Sequence, residues 1–146
     1  MALLHIPGMV SLGMDRNEDR RLHASHGPIR QGEIYWIEPD ASRGSVPEVP
    51  HPHVIVQEDV FNRSRIGTVI VCALTSNLQR ANEPGNVLLE LGEGGLGKRS
   101  VIIVSQVSCL YKCRLGEYIG ALSPERIAQI LAGMRFQQIA FFGRES

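Results

Sequence analysis

A chain of 146 residues is one domain by length, long enough to bury a core without disulfides or a structural metal. Hydrophobic residues make up 43% and charged residues 21%, an ordinary globular balance, and no apolar run reaches the length that spans a bilayer. Lys and Arg (15) balance Asp and Glu (15), so a nucleic-acid partner has to be held by a local cluster of cations and not by a global field.

The three cysteines, Cys72, Cys109 and Cys113, are odd in number and form no CxxC pair, which fits free thiols in a reducing cytoplasm. Cys72 and Cys109 read as small core hydrophobes. The N-terminus has neither the charged start nor the small-residue cleavage site of a signal peptide, so a cytoplasmic location is expected.

In chain order, Met1–Pro28 mixes Gly, Met, His and charges with no sustained period, and reads as a flexible extension preceding a domain over 29–146. His23 and His26 have no Cys or carboxylate partners at ligand spacing, so no metal is expected there. Ile34-Tyr35-Trp36-Ile37 is a short strand of aromatic and β-branched residues. The loop from Ala41 to Pro52 carries Arg43 among Gly44, Pro47, Pro50 and Pro52; a stiffened loop of that length in a small domain is expected to be functional.

Three buried strands follow: His53–Gln57, Thr68–Thr75 and Ser100–Gln106. The middle one is an unbroken apolar run, as a strand covered on both faces must be. It then switches to Thr75-Ser76-Asn77. All three runs end in polar side chains, which predicts a shared polar rim at the end of a rigid β core. Glu58–Asn62 reads as one helical turn and Asn86–Leu91 as a further strand. Gly92–Arg99 is a hairpin loop, since no Ser or Thr follows Lys98 and no helix follows the loop as a phosphate-cradling P-loop requires. Tyr111–Leu115 is a basic crossing, and Glu117–Leu122 a last short strand. Ser123-Pro124-Glu125 is a helix start, with a Ser cap, Pro at the first position and an acid in the first turn. Ile127, Ile130, Leu131 and Met134 recur at helical spacing, so one face packs on the sheet. The apolar Ala140-Phe141-Phe142 is expected to bury against this core or a second copy of it.

Several of these segments together resemble the MazF/PemK family of bacterial toxins. They are Gly32–Ile37, Ser42–Ser45, Pro52–Val56, Phe61-Asn62, the strand closing in Thr75-Ser76, and Gly95–Val101. The likeness runs from Ile29 to the C-terminal helix and rests on several motifs in order, not on one. It implies a mostly β fold, an SH3-like barrel with short helices and a C-terminal helix, assembled as a homodimer. The implied activity is sequence-specific, metal-independent cleavage of single-stranded RNA without any cofactor. The ribose 2′-hydroxyl attacks the adjacent phosphate and leaves a 2′,3′-cyclic phosphate. A cognate antitoxin peptide is the implied protein partner, competing as an acidic, partly disordered strand for the RNA groove.

In that family an arginine precedes the proline that opens the second strand, and a threonine closes the central one. Thr75 matches the threonine. His51, in Pro50-His51-Pro52-His53, stands at the arginine's position, and Ser105 stands where an acid commonly precedes the glutamine, here Gln106. Cleavage through a 2′-hydroxyl needs a base, an acid and donors for the extra charge on phosphorus. Histidine transfers protons near neutrality, whereas arginine is a fixed-charge phosphate clamp. The candidate catalytic residues are therefore His51, Thr75 and Arg43. Ser76, Asn77, Lys98, Gln106 and Arg114 are the candidate RNA contacts, with Arg99 and Lys112 adding charge and Tyr111 a stacking surface. Whether His53 takes part is left open by the sequence. Two other readings stay alongside: an inactive relative that binds RNA or an antitoxin, and a gyrase-poison-type toxin on the same barrel.

Overall fold

β-Branched and aromatic runs make the strands, and alternation decides which face each side chain joins. The computed structural model describes residues 27–38 and 49–143, with side chains up to 139. Arg43, His23, His26 and the extension up to residue 26 lie outside the described residues, as do the side chains of Ala140, Phe141 and Phe142.

The strands are β1 (Glu33–Ile37), β2 (His51–Ile55), β3 (Thr68–Thr75), β4 (Val87–Leu89), β5 (Ser100–Tyr111) and β6 (Leu115–Ala121). They form one antiparallel sheet in the order β4-β5-β3-β2-β1-β6. A single helical turn, α1 (Asp59–Asn62), joins β2 to β3, and α2 (Pro124–Gly143) closes the domain. The Glu58 side chain caps α1 by accepting from Val60 N, and Ser123 Oγ caps α2 by accepting from Arg126 N.

Both faces of the sheet carry a core. On one, Ile34, Val54, Cys72, Leu74, Leu89 and Ile102 pack under α2, which contributes Ile130 (2% exposed) with Ile127 and Met134 beside it. On the other, Tyr35, Ile37, Ile55, Val69, Val71 and Leu115 form a second cluster, closed by an edge-on contact between the Tyr35 and Tyr118 rings at 5.5 Å. Strand β3 supplies both clusters, Val69 and Val71 to one and Cys72 and Leu74 to the other. Its unbroken apolar run is explained by that position. Each such side chain contributes roughly 1.5–3 kcal/mol on burial.

The sheet does not close into the expected barrel, because its end strands β4 and β6 are not hydrogen-bonded to each other. The tight turn Glu93–Gly95 sits in the gap instead. A Cβ on Gly120 of β6 would collide with the Gly94 carbonyl, so backbone of the turn lies directly on backbone of the strand. An ion pair anchors the turn from the other side: Arg126 of α2 donates Nε and Nη2 to the two Glu93 carboxylate oxygens, each at 2.9 Å.

Two burial expectations are corrected. Cys109 is exposed, because it lies on β5 beyond the reach of either core, whereas Cys72 is buried as expected. Leu131 is 39% exposed, since the helix turns it off the stripe made by Ile127, Ile130 and Met134. The polar rim is also smaller than the three strand ends implied. Because β2 and β3 run antiparallel, Gln57 falls at the far end of the sheet, buried against Asn62 through bonds of 2.8 and 2.9 Å.

Ile130→Ala is expected to lower stability by about 2–5 kcal/mol, as a cavity beneath the helix would. Gly120→Ala, which forces Gly94 away from β6, is expected to lose roughly 1–3 kcal/mol. Urea unfolding of both variants checks this; a neutral Gly120→Ala would show that the turn does not rest on the strand.

Candidate functional site

The register of β2 on β3 builds the site. His53 lies opposite Ala73, and the same antiparallel step carried on two residues sets His51 opposite Thr75. Side chains two apart on a strand share a face, so His51, His53, Ala73 and Thr75 all stand on the face of the second core, just past its edge. Pro52 fits inside β2 because it lies beyond the last β2–β3 pair, where its missing N–H leaves that ladder intact. Histidine 51 is therefore a strand residue and not, as the prolines around it imply, a loop residue.

Strand β5 adds the third wall through a wide irregularity. Between the pairs Cys72↔Val107 and Leu74↔Ile102, β3 advances two residues while β5 advances five. The residues spent there include Gln106, which is lifted into the site. Asn86 spans the distortion: its Oδ1 accepts from Val104 N at 3.0 Å, and its Nδ2 donates to the Arg80 carbonyl at 2.9 Å.

The result is a cleft of about 780 Å³. It collects four of the expected residues, His51, Thr75, Gln106 and Arg114, and Tyr111 stands at it with 67% of its surface exposed. It also includes His53, whose part was open. Ser76, Asn77 and Lys98 do not line it. Asn77 instead accepts from Gln79 N at 3.2 Å and so caps the short turn Leu78–Asn82. Lys98 projects from the exposed hairpin, and its neighbour Arg99 is paired with Glu90 at 3.0 Å.

Arg80 was missed. It lines the cleft and is held in a fork by Glu83, at 2.7 Å (Nε) and 3.0 Å (Nη2). That bond is the leading cause raising the Arg80 pKa and lowering that of Glu83. The only signal in the sequence was its place five residues after Thr75, close behind the polar end of the central strand. Arg114 reaches the cleft from the turn between β5 and β6, donating Nη2 to the Glu38 carbonyl at 2.8 Å. Two guanidiniums, one of them already paired with Glu83, and one carboxylate, Glu38, therefore line the cleft.

Two lining groups have resolved chemistry. Thr75 Oγ1 accepts from Asn77 N at 3.2 Å, which orients the hydroxyl and leaves its O–H to donate. His53 Nδ1 is 3.0 Å from the His51 carbonyl, and burial draws its pKa below the ordinary 6.5. The His51 carbonyl bond opposes that shift and the His51 charge adds to it. Among the described residues, no three His, Cys, Asp or Glu side chains gather as a group that could hold a metal ion.

Comparison with known proteins identifies the family and the fold. Residues 30–137 match the family described as PemK-like, MazF-like toxin of type II toxin-antitoxin system. Over 107 residues the chain is 34% identical to Endoribonuclease MazF6 of Mycobacterium tuberculosis and to Endoribonuclease MazF2 of Mycobacterium bovis, covering 73% of this chain and 94% of each relative. Its fold resembles the Mycobacterium tuberculosis toxin MazF-mt6, with TM-score 0.57 and 20% identity over 70% of this chain and 91% of that one. A mycobacterial endoribonuclease solved with its cognate antitoxin gives 0.55 and 19%, covering 74% and 90%. MazF from Deinococcus radiodurans gives 0.58 and 17%, covering 80% and 97%. A family match across most of the chain, relatives of one-third identity and a shared fold lead to one conclusion: the chain belongs to the MazF/PemK family of toxin–antitoxin endoribonucleases.

Proposed function

We propose that this chain is the toxin of a type II pair and cleaves single-stranded RNA at short sequences in the β1–β2–β3–β5 cleft. The ribose 2′-hydroxyl attacks the neighbouring phosphorus, the bond to the 5′-oxygen breaks, and a 2′,3′-cyclic phosphate and a 5′-hydroxyl are left. The observation that supports this most is the convergence of His51, Thr75, Gln106 and Arg114, from four separate segments, on one cleft.

In this reading His51 transfers a proton, at the position where the family uses arginine. The Thr75 hydroxyl donates to a non-bridging phosphate oxygen, its own oxygen being fixed by Asn77 N. Arg114 and Arg80 offset the charge that builds on phosphorus, replacing the fixed charge that a histidine at position 51 gives up. Arg43 remains a candidate on sequence grounds alone. Gln106 reads a base edge, and Tyr111 offers a ring on which a base stacks. No metal or cofactor enters this scheme. A cognate antitoxin peptide, acidic and extended, occupies the same cleft, and the toxin acts in the cytoplasm as a homodimer.

With mixed-sequence RNA in EDTA, discrete fragments ending in cyclic phosphate are expected. His51→Ala should lose about 10²–10⁴-fold in rate, the usual worth of general acid–base catalysis. Thr75→Ala should lose rate without changing the shape of the pH profile. An unchanged rate in His51→Ala would remove that residue from the mechanism.

Binding should depend on salt through the cleft arginines. Arg114→Gln is expected to weaken RNA binding and to flatten the log–log salt slope by about 0.7, one phosphate contact on a single strand. Arg80→Gln should do less, because Glu83 already offsets part of its charge. Lys98→Gln should leave the slope unchanged; if it flattens the slope as Arg114→Gln does, the RNA path runs over the hairpin instead.

Sedimentation at micromolar concentration is expected to give a two-fold dimer. A monomer there would sink the assembly part of the reading.

A further inference from the structure

The cleft holds a second histidine to which neither the family resemblance nor the reading above gives a task. His53 sits two residues from His51 on the same face of β2, half-buried, with its ring in the cleft. Its Nδ1 lies 3.0 Å from the His51 backbone carbonyl. A carbonyl oxygen only accepts, so Nδ1 carries the proton, and the neutral ring presents Nε2 as a bare acceptor. A backbone bond of this kind fixes both the tautomer and the ring orientation.

We infer that His53 is the general base of the reaction and His51 its general acid, the two working as a pair on one strand edge. This rests on the endoribonuclease reading above. His53 Nε2 takes the proton from the ribose 2′-hydroxyl as the O2′–P bond forms. His51, as imidazolium, gives a proton to O5′ as the P–O5′ bond breaks. One proton is taken up and one released, so the pair ends in the opposite protonation state and resets by exchange with water. No other reactant is needed.

The assignment follows from the two environments. Burial favours an uncharged ring at His53, which suits a base, and the charge of His51 works in the same direction. His51 is exposed to water, so its ring exchanges protons freely with solvent. Residues two apart on a strand are about 6.6 Å apart along it, a spacing that lets two rings address opposite sides of one phosphorus. On its own strand His53 faces His51; from β1 it faces Tyr35, with Glu38 at the strand's end, and from β3 the uncharged Ala73. Among the described residues, Arg80, Arg114, Cys109 and Tyr111 complete the titratable groups that line the cleft. Tyr35 stays protonated, since burial raises its pKa and its hydroxyl donates to Glu33.

The experiment is the single-turnover cleavage rate against pH for the full chain, His53→Gln and His51→Ala. A bell is expected for wild type. His53→Gln should lose about 10²–10⁴-fold and the rising limb, while keeping the falling limb. His51→Ala should lose the falling limb. RNA with sulfur in place of the scissile 5′-oxygen has a leaving group that needs no proton, so it should restore His51→Ala and leave His53→Gln slow. If wild type cleaves no RNA, the endoribonuclease reading itself falls. If wild type cleaves and His53→Gln stays within about threefold with its rising limb intact, His53 alone is overturned. A test free of any variant is the nitrogen-15 spectrum of the wild-type imidazoles, which should show His53 neutral with the proton on Nδ1 near pH 7. A proton on Nε2 would overturn the assignment.

Discussion

The structure depends on burying β3 on both faces. Val69 and Val71 enter one core, Cys72 and Leu74 the other, and β2 and β5 pair along its two edges. A strand clamped in this way has little freedom to shift, because a slip of one residue would exchange its two faces and leave both cores mismatched. Thr75 ends that strand, so the hydroxyl is placed by packing several residues away from it. At the strand's centre, burial pushes the pKa of the Cys72 thiol up to about 11.

From that fixed strand the site is assembled by irregularity. Regular antiparallel pairing of β5 along β3 would carry Gln106 on as an ordinary ladder residue. The extra residues between Ile102 and Val107 break the ladder at that point, and Asn86 takes up an amide, that of Val104, in the broken stretch. The same asparagine holds the Arg80 carbonyl and the Glu83 carboxylate, so the distortion of β5 and the placement of a cleft arginine are parts of one network. Sheets bend and open where such bulges fall, which is why they collect near sites.

The other side of the molecule solves a different problem. A six-stranded sheet that stops short of closure leaves two edges, and an exposed edge invites pairing with other chains. Here β4 is only three residues long, and the glycine turn after it lies on β6 so closely that only Gly120 fits. Arg126 ties that turn to the helix. In the ion pair the Glu93 carboxyl is held below its ordinary pKa, first by Arg126 and then by the Glu90 amide. Its contribution is therefore present above about pH 4.5 and fades as pH falls through the lowered value. Glu93 and Arg126 are each about a quarter to a third exposed, so solvent screening keeps that contribution modest.

What the residues determined by themselves was local. The apolar run of β3, the Ser-Pro-Glu start of α2, the one-turn helix capped by Glu58 and the glycine hairpin are each set by chemistry within a few positions, so each was legible. The family was legible too, because several short motifs kept their order. Thr75 and Gln106 were candidates on that basis and Arg114 as a nearby cation, and all three line the cleft. Tertiary structure alone decided the rest. Gln57, Thr75 and Gln106 look alike in sequence, as polar ends of apolar runs, yet antiparallel pairing sends Gln57 to the opposite end of the sheet. Lys98 and Arg80 are both plausible cations in sequence, and only the fold turns one to solvent and the other into the cleft. The open edge between β4 and β6 belongs to the same class. Each depends on which backbone groups meet across the sheet, and pairing between distant segments is not written in the period of either one.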